Sequence, residues 1–197
     1  MDNLKTKGKL GILIPGMGAV ASTLIAGVEA IKSNKSKPIG SMSQMGTIRL
    51  GKRTENRVPL IKDFAPLADL EDLVFGGWDI NNENLYEICI RNGVLEKSLV
   101  DDMKSYLKSV EIWPAVFDKK YVRRLDGDYI KTGANKMTLA EQLEEDIHNF
   151  RKKYNTRAIV MIWCGSTEIF FKANDVHSTI DKFETGLINN DPEISPS

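Results

Sequence analysis

Apolar residues fall along this chain in two patterns, short unbroken runs and helically spaced stripes, and their alternation predicts the order of elements. Lys9 to Ile14 is a compact apolar run that reads as a buried strand. After a tight turn, Val20, Leu24, Ile25, Val28 and Ile31 recur at the spacing of one helix face. The period then lapses from Ser33 to Pro66, a stretch that carries Lys35, Lys37, Arg49, Lys52, Arg53 and Arg57 and is broken by Pro38, Pro59 and Pro66. An irregular loop of that length is usually functional or held by a partner. Leu73-Val74-Phe75 reads as a second buried strand, closed by Gly76-Gly77, with Asn81 or Asn82 capping the helix that holds Leu85, Ile88 and Cys89.

Another helix is expected over Glu96 to Ser109. Glu111 to Phe117 is a third strand candidate in which Pro114 must sit at a strand end or a sheet edge. Thr138 and Glu141 have capping-box spacing, and Leu139, Leu143, Ile147, Phe150 and Tyr154 run as one stripe down the helix that follows. The unbroken Ala158 to Trp163 reads as a strand covered on both faces, and Ser178 or Thr179 caps a last helix ending near Asn189. Four strands alternating with helices mean an α/β fold: a Rossmann-like, largely parallel sheet with helices on both faces, joined by right-handed crossovers. Residues 1–8 read as a polar tail and 9–197 as one unit, with the irregular loop at 33–66.

The composition fits that picture and narrows the function. Of 197 residues 42% are apolar, enough for one sizeable core, which excludes disordered and collagen-like classes. Lys and Arg number 27 against 27 Asp and Glu, so no global charge attracts nucleic acid or an anionic membrane. No apolar run approaches the roughly 18 residues of a membrane helix, and Met1 to Lys9 is too polar for a signal peptide. The expectation is a cytoplasmic protein. Cys89 and Cys164 are isolated, lack metal-ligand spacing, and read as free thiols in a reducing compartment.

The sharpest chemical signal is Gly16-Met17-Gly18-Ala19-Val20-Ala21, a G-x-G-x-x-G/A fingerprint where a strand gives way to a helix. Its glycines permit a tight turn and a close approach to a pyrophosphate, and the helix N-terminus offers unpaired N–H groups. The acidic residue expected about 20 positions later, which holds the adenosine ribose, is missing between Glu29 and Glu55. Lys35 and Lys37 stand there instead and favour a 2′-phosphate, hence NADP. The preferred alternative is that the long loop displaces the second strand, so that Asp79 supplies the carboxylate; its competitor is that Asp79 caps the next helix. Cys164-Gly165-Ser166-Thr167 follows the fourth strand at its carboxyl end, where open α/β sheets bind ligands. Nothing supports a nucleophilic Cys164 with His177, and His148 and His177 read as helix-surface or capping residues. Gly46 to Lys52 spells G-x-x-x-x-G-K, but Arg53 replaces the Ser/Thr and no strand precedes it, so an ATP site is rejected.

Four segments together resemble one family. Gly40-Ser41-Met42-Ser43-Gln44-Met45-Gly46-Thr47-Ile48-Arg49-Leu50-Gly51-Lys52-Arg53, Phe75-Gly76-Gly77-Trp78-Asp79-Ile80, Trp163-Cys164-Gly165-Ser166-Thr167-Glu168 and Glu193-Ile194-Ser195-Pro196-Ser197 look like inositol-3-phosphate synthase, also called myo-inositol-1-phosphate synthase, in its bacterial form. The likeness runs from Lys9 to Ser197. It implies a cytoplasmic homotetrameric isomerase of inositol and phospholipid biosynthesis that converts D-glucose 6-phosphate to 1D-myo-inositol 3-phosphate, with NAD used and regenerated. The cofactor contacts it implies are Gly16, Met17, Gly18, Ala19 and Val20 at the pyrophosphate, Asp79 at the ribose, Ala115 and Val116 near adenine, and Cys164, Gly165, Ser166 and Thr167 beyond. Eukaryotic members are richer in Gly and Asn at the fingerprint and carry Thr-Ala-Asn-Thr in place of Cys164 to Thr167, so backbone contacts transfer more directly than side-chain ones. The family's catalytic lysines lie in a downstream catalytic and tetramerisation half, so no catalytic residue is assigned and this chain alone is expected to be an inactive fragment with an incomplete sheet. Two other functions compete: an ordinary NAD(P)-dependent dehydrogenase, and a non-enzymatic nucleotide-sensing module.

Overall fold

A computed structural model describes residues 8–165, 167–170 and 172–195. β1 (Leu10–Pro15) buries its four interior positions and leads into α1 (Ala19–Lys32). The stretch that lacked a period folds back on itself as a small arm. It holds the one-turn helices α2 (Met42–Met45) and α3 (Ile61–Phe64), with antiparallel bridges joining Thr47 to Leu60 and Leu50 to Arg57. β2 (Leu73–Asp79) follows, then α4 (Leu85–Asn92), α5 (Lys97–Asp102), α6 (Lys104–Ser109) and β3 (Glu111–Pro114). The long helix α7 (Lys136–Tyr154) carries the chain to β4 (Ala158–Met161), and α8 (Ile180–Ile188) lies beyond.

The described strands pair in parallel in the order β3-β2-β1-β4. The chain therefore steps outward from β1 to β3 and returns through α7 to the far side of β1. The strand order reverses between β1 and β4, which is where an open α/β sheet forms a ligand crevice. Helices cover both faces. On one, Ile12, Ile14 and Phe75 pack with Ile25 of α1, Leu85 and Ile88 of α4 and Leu107 of α6. On the other, Leu13 and Trp78 pack with Phe150 of α7, flanked by Leu143, Ile147 and Tyr154, as the stripe on that helix predicts.

Several local expectations are corrected. Gly76-Gly77 does not close β2 but lies inside it. A Cβ on Gly77 would sit 2.2 Å from the Ile14 carbonyl oxygen, and one on Gly76 3.1 Å from the Phe150 ring, so the glycines serve close packing rather than a turn. On α1 the buried positions are Ala21, Ser22, Ile25, Ala26, Val28 and Ala30, while Val20 and Leu24 face outward. Small residues let that helix approach the sheet, and a reading weighted toward large side chains turns it too far. The 96–109 helix is two helices parted at Met103. Asn84, not Asn81 or Asn82, caps α4 by accepting the Glu87 N–H, and Asn135 rather than Thr138 caps α7. β4 is shorter than its apolar run and lies at a sheet edge, with Val160, Met161, Ile162 and Trp163 exposed. Thr179 caps α8 as expected. No helix among the described residues is long and apolar enough to cross a membrane.

Candidate dinucleotide site at the carboxyl ends of the strands

The fingerprint turn is held from two sides by backbone. Gly16 has φ of +89°, a left-handed conformation that glycine adopts without penalty. Its N–H donates to the Trp78 carbonyl at 3.0 Å, and the Cys164 N–H donates to the Pro15 carbonyl at 3.0 Å. A Cβ on Gly16 would lie 3.0 Å from the backbone at Cys164 and Gly165, so the turn sits in the reversal between β1 and β4 with no room for a side chain. Met17 buries its side chain beneath the turn.

Gly18 is the N-cap of α1, and among the described residues no side chain caps the helix and nothing lies within 4 Å of where its Cβ would be. Among the described residues, space is open beside Gly18 at the first turn of α1, the arrangement that takes a phosphate at a helix N-terminus. Ala19 and Val20 lie exposed in that first turn.

Asp79 ends β2 beside the turn. Its Oδ2 accepts the Met17 N–H at 3.0 Å, and its Oδ1 accepts the Asn81 N–H at 3.0 Å and the Asn81 side-chain amide at 3.1 Å. With Oδ1 taking two bonds and Oδ2 one, Oδ2 retains capacity for one further donor. The competing role as cap of the next helix falls away, because Asn84 performs it. Lys35, the cation that favoured a 2′-phosphate, pairs with Asp102 at 2.7 Å, and Lys37 is exposed.

A cleft of about 190 Å³ opens next to Gly16 on the α7 side of the sheet, walled by Trp78, Ala115, Val116, Leu143 and Trp163. Its volume is below the roughly 300–1,000 Å³ of a pocket for a drug-sized ligand, which suits one ring system rather than a whole dinucleotide. Gly165 and Thr167 reach the same cleft; Ser166 lies outside the described residues. Cys164 packs instead against the opposite, α1-side core. His177 bonds Asn174 at the start of a short 3₁₀ turn, and His148 is exposed on α7, as surface and capping roles require. Burial pushes the Cys89 thiol up from its ordinary value.

Sequence reasoning passed over two residues that lie behind a wall of this cleft. Asp146 of α7 accepts the Trp78 indole N–H at 2.7 Å and pairs with Lys131 at 2.8 Å. The available signal was a carboxylate at 146, which helical spacing from Leu143 to Phe150 places on the inward face of α7.

A family model described as myo-inositol-1-phosphate synthase, an NAD-binding domain, matches residues 10–197. An inositol-3-phosphate synthase 1 of Bacteroides thetaiotaomicron is 40% identical over 192 residues, covering 96% of this chain and 44% of the relative. An inositol-3-phosphate synthase 1 of Oryza sativa subsp. japonica is 30% identical over 207 residues, covering 98% of this chain and 41% of the relative. The crystal structure of inositol-3-phosphate synthase from Caenorhabditis elegans superposes with a TM-score of 0.87 at 23% identity, covering 97% of this chain and 41% of that one, a likeness of fold. The chain spans less than half the length of each of these relatives.

Proposed function

Since the chain belongs to the myo-inositol-1-phosphate synthase family, we propose that it is the NAD-binding unit of an isomerase that converts D-glucose 6-phosphate to 1D-myo-inositol 3-phosphate. The observation that carries this reading is the continuity of three parts: open amides at Gly18, a carboxylate at Asp79, and a ring-sized cleft entered beside Gly16. In it, the backbone of Gly16 to Val20 receives the pyrophosphate at the α1 N-terminus. Asp79 takes one ribose hydroxyl on Oδ2, and the Ala115–Val116 wall takes the adenine ring. The segment 164–167 faces the remaining half of the cofactor, its contacts made through backbone and small hydroxyls. NAD, when bound, supplies a reversible hydride acceptor. The residues of this chain bind and orient it, and the ring-closing chemistry is assigned to parts of the enzyme outside the span shared with the relatives. A cytoplasmic homotetramer serving inositol phospholipid synthesis belongs to the same proposal.

Calorimetric titration with NAD and NADP tests it. NAD binds the tighter, because a second negative charge beside Asp79 is repelled and Lys35 is already paired. Gly18→Val fills the space before the α1 amides and lowers NAD affinity about 100-fold, or about 2.7 kcal/mol, while the melting temperature stays put. Tighter NADP binding would overturn the Asp79 role; unchanged affinity in folded Gly18→Val would overturn the pyrophosphate site.

A further inference from the structure

One connected chain of polar contacts runs behind the cleft. The segment after β3 loops out and returns, so that the Lys131 N–H donates to the Ala115 carbonyl at 2.8 Å and Ile130 bridges Ala115 in parallel. The Lys131 ammonium then meets Asp146 of α7 at 2.8 Å, with side-chain exposures of 8% and 16%. The same Asp146 oxygen accepts the indole N–H of Trp78 at 2.7 Å, and Trp78 is buried with its ring against Trp113. Through the next peptide lies Asp79, which braces the fingerprint turn at Met17.

Both walls of the cleft are thereby tied to one carboxylate: Ala115 through the backbone of Lys131, Trp78 through its indole. We propose that Asp146, with Lys131 as its counter-ion, is a positioning residue for the cofactor's ring, fixing the Trp78 indole that faces the Ala115–Val116 wall. This rests on the NAD reading above. Neither residue needs to touch the cofactor. A charge pair this far from water contributes little net stability compared with apolar residues of similar size. It does hold an indole whose N–H requires an acceptor once buried, and the acceptor is what the cleft geometry depends on.

Two double variants separate that role from simple packing, since both remove the charge pair and only one keeps an acceptor for the indole. In Lys131→Met/Asp146→Asn the amide oxygen takes the Trp78 N–H; in Lys131→Met/Asp146→Leu nothing does. Dissociation constants for NAD, AMP and nicotinamide mononucleotide are measured on each, alongside thermal melting and the exchange rate of the Trp78 indole proton by NMR. The Asn variant binds NAD and AMP within about threefold of the parent, with the indole proton protected. The Leu variant binds both about tenfold more weakly and its indole proton exchanges freely. Nicotinamide mononucleotide distinguishes neither. Equal NAD and AMP affinities in the two variants, with the parent binding normally, would overturn the positioning role and leave the NAD reading standing. A parent protein that binds neither NAD nor AMP would overturn both.

Discussion

The two faces of the sheet are built differently. Beneath α1 and α4 to α6 the side chains of Ile12, Ile14, Ile25, Leu85, Ile88 and Leu107 close into a continuous core. Under α7 the buried set is Leu13, Trp78 and Phe150, and toward the strand ends the packing gives way to the cleft. One face is lined by fully buried side chains; the other is buried beneath Phe150 and Leu143 of α7 and opens into a cleft that adjoins Gly16. The closed core and the cleft thus lie on opposite sides of the same four strands.

Truncation on each face tests that division most strongly. Leu85→Ala, in the closed core, should cost about 2–5 kcal/mol in urea denaturation. Leu143→Ala, on the half-buried cleft wall, should cost well under half as much and weaken AMP binding. Equal losses of stability would mean that the cleft is as tightly packed as the core. Glycines sharpen the contrast at smaller scale. Gly77→Ala forces a Cβ toward the Ile14 carbonyl and should lose about 1–3 kcal/mol. Gly18→Ala extends into open space at an ordinary φ of −77° and should stay within about 1 kcal/mol of the parent in the absence of cofactor. A destabilised Gly18→Ala would mean the space before α1 is already filled.

The smallest effect is chemical. Cys89 lies inside the closed core with its thiol pushed up by burial, whereas Cys164 is half-buried. At pH 8 a soluble thiol reagent should modify Cys164 at least about ten times faster than Cys89, since the thiolate is the reacting form. Raising the pH to 9 should leave Cys89 slow until denaturant is added. Matched rates in the folded protein would show that Cys89 is as accessible as Cys164 and that the core beneath α1 is not closed.

Much of this was legible in the chain because it is written in local pattern. The run Lys9 to Ile14, the glycine fingerprint and the stripe on α7 each specify an element without help from the rest, and together with the number of strands they define the fold class. Where tertiary contact overrides pattern, the reading slips. Gly76-Gly77 resembles a turn until the Ile14 backbone and the Phe150 ring are seen to crowd it. Alanines on α1 carry a weak apolar signal yet form its buried face. At the site, Asp79 is singled out by its place just past Phe75 and the double glycine, and it ends β2. The bonds that give it two tasks, to Met17 and to Asn81, depend on β1 and β2 lying side by side. Lys131 and Asp146 come together only through the return of a loop with no periodic signal, so nothing local marked them as a pair.

The contact of Gly16 with Cys164 and Gly165 also bears on the order in which the molecule assembles. β1 finds its β2 partner within the next third of the described chain. Its other edge, and with it one wall of the fingerprint turn, waits for β4. Such long-range parallel pairing is slow, because the loop entropy must be met before the contact forms. On the proposed reading of the site, a dinucleotide has no completed turn to recognise until that pairing forms, so it does not template the early stages. Its expected effect falls on the reverse process: cofactor bound as proposed ties β1 to β4 and should slow unfolding while leaving the rate of folding nearly unchanged.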